Sequence, residues 1–150
     1  MSFIEKIADA VAKLNVELGP VFVIKKTVVS STILTASAVD ITGLSSGGEL
    51  EVVNVIVKTD STGLAGGTNF QILSNNAKGL ANIFVETVAN LGANKTMDLN
   101  AASVTKIRTI LESGKKLQVQ NTVANGSGAG TIDIYIVFRR LTPDATIVAV

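Results

Sequence analysis

The chain of 150 residues contains no cysteine, no histidine and no tryptophan. Without cysteine there is no disulfide framework, so the fold must be held by packing and hydrogen bonds. Without histidine or cysteine, histidine-based nucleophilic triads, thiol chemistry and ordinary zinc sites are excluded. Charge of one sign is also missing: 13 basic and 12 acidic residues leave a net charge of +1, with no dense basic run. That is not the surface that neutralises phosphates, so nucleic acid is not an expected partner. No segment is long and apolar enough to span a bilayer as a helix, and charges at Glu5, Lys6, Asp9, Lys13 and Glu17 interrupt any signal-like run near the start.

What is present is β-branched. Apolar residues make up 47% and aromatics only 4%, and Val, Ile and Thr are abundant. Such side chains suit the pleated surface of a sheet. Thr131 to Arg140 carries the clearest signal: Ile132, Ile134, Ile136 and Phe138 alternate with Asp133, Tyr135, Val137 and Arg139. A side-chain period of two puts the first set on a core and the second outward. Leu117 to Val123 also alternates, and the segment between the two is rich in Gly, Asn and Ser, which reads as an antiparallel hairpin.

Other strand-like runs are Val21 to Val29, Thr32 to Ala36, Asn69 to Leu73, Ile83 to Val88 and Thr96 to Leu99. Glu49 to Thr59 is the longest, apolar on both faces in its middle, as for a strand covered on both sides. Turn clusters at Ser45–Gly48, Asp60–Gly63 and Asn75–Gly79 separate these runs. Ser103 to Ser113 breaks the alternation: Val104, Ile107, Ile110 and Leu111 fall at helical spacing, which predicts a short late helix. Ala145 to Val150 is an apolar tail expected to pair along an edge or lie on a partner.

Ser2 to Leu18 is the long helical segment. Ser2-Phe3-Ile4-Glu5 matches a capping box, and Gly19-Pro20 stops the helix. Ile4, Ile7, Val11, Leu14 and Leu18 follow alternating steps of three and four, the seam of a heptad pattern. Two heptads are too few to hold a coiled coil alone. The stripe either docks on the protein's own sandwich or packs on symmetry mates or a neighbouring protein; these five residues are the candidate interface.

The expected fold is mainly β: an antiparallel β-sandwich of eight or nine strands, a jelly roll over residues 21–150. An N-terminal amphipathic helical arm over residues 1–20 precedes it. At this point the chain resembles the small jelly-roll accessory proteins of tailed-phage virions, the capsid decoration or cement proteins. The resembling run extends from about Glu49 to Leu141. It includes T-D-S-T-G-L-A-G-G-T-N-F at Thr59 to Phe70, L-E-S-G-K-K-L at Leu111 to Leu117, and G-A-G-T-I-D-I-Y-I-V-F-R-R-L at Gly128 to Leu141. The resemblance implies a non-enzymatic virion protein, made in the host cytoplasm, that forms homo-oligomers, often trimers. It implies a major capsid or other shell protein as partner, and supplies no catalytic residue, metal or cofactor.

Other chemistries fit the residues less well. The glycine-rich pieces at Gly63–Gly67 and Gly126–Gly130 lack the Lys-Ser/Thr and following helix of a phosphate loop. Among Glu49, Glu51, Asp60, Asp98 and Asp133 no spacing selects a hydrolytic carboxylate pair. A calcium site around Asp60, Ser61 and Thr62 lacks the EF-hand pattern. The rival function is a receptor- or glycan-binding module on a virion surface. It has only Tyr135 and five Phe from which to build an aromatic platform. Arg139 and Arg140 end the central strand, where they are either solvated or paired with a carboxylate of another subunit.

Overall fold

The computed structural model describes residues 2–8, 21–29, 39–41, 45–46, 48–74, 82–99, 105–106, 109–122 and 130–147. It is an antiparallel β-sandwich of the jelly-roll type, preceded by a short N-terminal helix. The strands are β1 (Val21–Val29), β2 (Val39–Asp40), β3 (Ser45–Ser46), β4 (Leu50–Thr59), β5 (Asn69–Ser74) and β6 (Asn82–Thr87). They continue with β7 (Thr96–Asp98), β8 (Thr105–Lys106), β9 (Thr109–Leu111), β10 (Leu117–Asn121), β11 (Thr131–Arg140) and β12 (Thr146–Ile147). The first sheet runs β1-β11-β4-β7, with β9 also on the far edge of β4; the second runs β2-β10-β5-β6-β8. From β6 to β11 every successive strand lies in the opposite sheet, and the chain also crosses after β1, before β4 and after β4, the alternation that wraps a jelly roll.

β11 is the strand around which the first sheet is built. It pairs along its whole length with β1, from Val21↔Arg139 to Val29↔Thr131, and on its other side with β4. Its inward row, Ile132, Ile134, Ile136 and Phe138, is fully buried, and the alternate residues are half-buried on the outer face. Phe70, Ile72, Phe84, Leu117 and Val119 of the second sheet meet this row in one continuous core. The Phe22 and Phe138 rings stack at 5.4 Å, and Phe70 meets Phe84 edge-on at 6.4 Å.

Four sequence expectations need correction. The runs at Leu117 and Thr131 do not form a hairpin: β10 and β11 lie in opposite sheets. Alternation fixes which residues face inward but does not name the pairing partner. The late helix is also absent: Thr105–Lys106 and Thr109–Leu111 are strands. β-branched Thr109 and Ile110 pair with Val52 and Glu51, so the unmatched backbone of the first half of β4 is hydrogen-bonded by β9.

The third correction concerns β4, which is not covered on both faces. Its pairing with β11 slips between Val137 and Phe138, so Asn54 and Val52 find partners and Val53 is left between them. The bulge shifts the alternation by one residue: Leu50 and Val52 are buried before it, Val55 and Val57 after it. That phase change made the strand look apolar on two sides. Fourth, Ser45–Ser46 is a strand rather than part of a turn. It pairs with Thr146–Ile147, so this part of the apolar tail does bond along an edge, as expected. The expected strand Thr32 to Ala36 and residues 148–150 lie outside the described residues.

At the start, residues 3–8 are helical and the capping box forms in both directions. The Glu5 amide donates to Ser2 Oγ at 3.2 Å, and the Ser2 amide donates to Glu5 Oε2 at 2.6 Å. The Ser2 amide, and after it the Ser2 side chain, hold the Glu5 carboxyl below its usual range.

Candidate interaction surface

The candidate surface has two parts: the helix at residues 3–8 and the outer face of the β1-β11-β4 sheet. On the helix, Phe3, Ile4 and Ile7 are 78%, 77% and 49% exposed. The first two residues of the heptad seam therefore stand in solvent in the single chain. Val11, Leu14 and Leu18 lie outside the described residues.

The outer sheet face is set by strand parity. Register aligns Val21, Arg139, Glu51 and Ile110 in one row across β1, β11, β4 and β9. Val23, Val137 and Asn54 form the next row, and Lys25, Tyr135, Ile56 and Asp98 a further one. Val21, Val23 and Ile110 are 53%, 58% and 46% exposed and flank the Arg139–Glu51 pair, so this end of the face is apolar around one matched ion pair. Further along the sheet lies a second set of charges. Lys25 Nζ lies 2.8 Å from Asp133 Oδ2, and Thr27 Oγ1 donates to Asp133 Oδ1 at 2.6 Å. Those two bonds lower the Asp133 carboxyl, and the bond from Lys25 to Asp133 raises the Lys25 ammonium.

Of the acidic residues weighed as catalytic or metal-binding groups, Asp60, Glu51 and Asp133 hold partners within the chain. Asp60 Oδ1 accepts the amides of Thr62 and Gly63 at 2.9 and 2.8 Å, and Oδ2 accepts the Thr131 amide and hydroxyl at 2.8 and 3.0 Å. Four donors occupy its oxygens, which leaves it fastening a loop rather than gripping a cation. They hold its carboxyl at about 2. Glu51 is 3.5 Å from Arg139 of the same chain, so this arginine meets an intrachain carboxylate. Asp40 accepts from Lys116 and Gln118 and is lowered as well. A general acid needs a raised carboxyl, and the shifts of Asp60 and Asp40 run the opposite way. No group of three or more metal-ligating side chains occurs among the described residues.

The glycine loops serve turns. Gly63, Gly66 and Gly67 have φ of 71°, 82° and 82°, and Gly130 has φ 94° immediately before β11. A strand follows Gly67 and Gly130, where a phosphate loop needs a helix N-terminus.

Aromatic platforms fare no better. Tyr135 is half-buried with Lys25 Nζ 5.5 Å from its ring centroid, and Arg140 covers Phe22 at 4.8 Å while donating to the Ala145 carbonyl. Phe70, Phe84 and Phe138 are fully buried. Phe3, on the helix, is the exposed ring.

Sequence reasoning found Ile4 and Ile7 but missed Val21, Val23 and Ile110. The signal for the two valines was present: in V-F-V-I-K-K-T-V-V both alternate positions are apolar, which leaves Val on whichever face turns outward. Ile110 was hidden by its assignment to a helix.

No protein-family model and no curated protein matches the sequence. Solved structures do share the fold. A chain from the acidic stable capsid structure of Helicobacter pylori bacteriophage KHP30 superposes with a TM-score of 0.56 at 13% identity, over 89% of this chain and 96% of that one. A chain from the capsid of Ralstonia phage GP4 gives a TM-score of 0.55 at 14% identity, over 81% and 84%. One from the cyanophage Pam1 capsid asymmetric unit gives 0.54 at 18% identity, over 81% and 86%. The chain thus resembles, in fold, jelly-roll-like chains of phage capsids.

Proposed function

We propose that this chain is a structural protein of a phage-type virion, a homo-oligomer that binds and stabilises a capsid or related shell as a decoration protein. A trimer is the expected form. The partners are further copies of itself and the major capsid or another shell protein, and the work is binding, not catalysis. Synthesis in the host cytoplasm precedes its place in the virion.

One observation supports this reading: the fold is shared with chains of three phage capsids over 81–89% of this chain. The exposed helix agrees with it. Fully burying a side chain such as Ile4, Ile7 or Phe3 is worth about 1.5–3 kcal/mol, and in the single chain that stabilisation is not realised. In a shell each contact can be weak, because many identical contacts act at high effective concentration. We assign residues 1–20 to an assembly arm and Ile4, Ile7, Val11, Leu14 and Leu18 to its contact stripe, with residues 21–150 as the sandwich.

A cryo-EM map of the source particle tests the proposal. Density for this jelly roll seated on the shell, repeated with the shell's symmetry, is the expected result. A particle without it contradicts the proposal.

A further inference from the structure

We propose that the apolar end of the outer β1-β11-β4 sheet face is the seat of the N-terminal helix of a second copy of this chain. The inference rests on the assembly reading above and specifies which surfaces meet.

The helix needs a seat. An isolated helix of so few turns is marginal in water and draws its stability from packing an apolar face. Phe3 and Ile4 are left largely exposed on their own protomer, and Ile7 half exposed.

The sheet face has the matching shape and chemistry. Val21 and Val23 on β1 and Ile110 on β9 stand at its two sides, with Val137 half-buried between them. The row from Val21 to Ile110 crosses three strand spacings, about 14 Å, enough to lay down a helix about 10–12 Å across. Charges beneath such a helix are already matched within the chain: Glu51 holds Arg139, and Asp133 holds Lys25. An apolar stripe can therefore cover the strip without leaving these ions unpaired, the main cost of burying a charged face.

Connectivity also fits. β1 begins at Val21, directly after the arm, and Val21 is itself at the apolar end of the face. Donor helix and acceptor strand thus belong to neighbouring stretches of the sequence. Donation from one copy to the next is a heterologous contact, which gives a ring such as a trimer where the rotation between copies closes.

The absence of cysteine allows a direct test with introduced thiols. In the full-length chain, the double variant Ile7→Cys/Val23→Cys is treated with a short thiol-specific cross-linker, beside each single variant and an Ile7→Cys/Ser61→Cys control at the opposite end of the sheet. The expected result is covalent oligomers from the double variant only. A double variant whose thiols join within one chain overturns the inference, because the helix then docks on its own sheet. Cross-linking of Ile7→Cys alone overturns it in favour of helix-to-helix bundling. An oligomer by light scattering whose thiols do not react with one another overturns it too, while sparing the assembly reading. A monomeric full-length protein removes both. Independently, Val23→Lys, at an exposed position that does not threaten the fold, is expected to raise the concentration for half-dissociation at least tenfold; an unchanged value contradicts the proposed seat.

Discussion

Thr131 donates twice to Asp60, through its amide at 2.8 Å and its hydroxyl at 3.0 Å. The first residue of β11 is thereby tied to the residue that follows β4, and the Asp60 amide returns a bond to the Thr131 carbonyl at 3.2 Å. Thr62 and Gly63 complete the knot from the next loop. The acid sensitivity of the fold follows. The Asp60 carboxyl lies at about 2 in the folded chain against 3.8 for the free group, so its contribution is complete above pH 3.8 and is lost as pH falls toward 2. Asp133 and Asp40 are lowered too and add to the same acid loss. Thermal melts should therefore show a falling Tm across that window. Asp60→Asn should melt lower than wild type at pH 7 and lose less on acidification. Parallel Tm–pH curves for the two proteins would contradict this assignment.

At the alkaline end the sign reverses. Lys25 is raised by its bond to Asp133, so the stability it contributes is present below its free value of 10.5 and is lost as pH rises past it. Lys25→Met should lose less Tm than wild type between pH 9 and pH 11.5, measured by circular dichroism. An identical alkaline loss in both proteins would show that the pair adds nothing to the fold.

Gly130 and Gly114 separate two effects that glycine substitutions usually mix. Both have positive φ, 94° and 79°. A Cβ on Gly130 would collide with the carbonyl oxygen of Gly63, whereas one on Gly114 meets nothing within 4 Å. Gly114→Ala should cost only the left-handed conformation, roughly 1–2 kcal/mol. Gly130→Ala should cost clearly more, since the backbone at Gly63 must move as well. Urea denaturation of the two variants checks the order.

Phe138 fills the core beneath the central strand, fully buried and stacked on Phe22. Phe138→Ala should lose about 3–5 kcal/mol. For a chain of this size that is a fall in Tm of roughly 10 °C. A variant within 2 °C of wild type would mean the β11 row does not carry the core.

Much of this fold was legible in the sequence, and the failures have a common cause. The alternation of Ile132 to Phe138 identified a strand and its buried face, because period and burial are local properties. The capping box at Ser2 and Glu5 was readable for the same reason. Partnership was not: nothing in Leu117 to Asn121 says that its neighbour is β5 rather than β11. The bulge at Val53 and the strand at Thr109–Leu111 were misread because both depend on the other side of a ladder, the first on β11 and the second on the unmatched half of β4. The interaction surface divided likewise. Ile4 and Ile7 were visible as a stripe, while Ile110 became part of a face only once β9 was seen beside β4.

The central claim is that apolar surface carried by the N-terminal segment is covered by further copies of the chain. Light scattering coupled to size exclusion, on the full-length protein and on a form lacking residues 1–20, tests it most directly. A full-length homo-oligomer, with a trimer expected, and a truncated form of lower mass whose far-UV spectrum is still β is the result predicted. A monomeric full-length protein, or an oligomer of the same size after truncation, would contradict it.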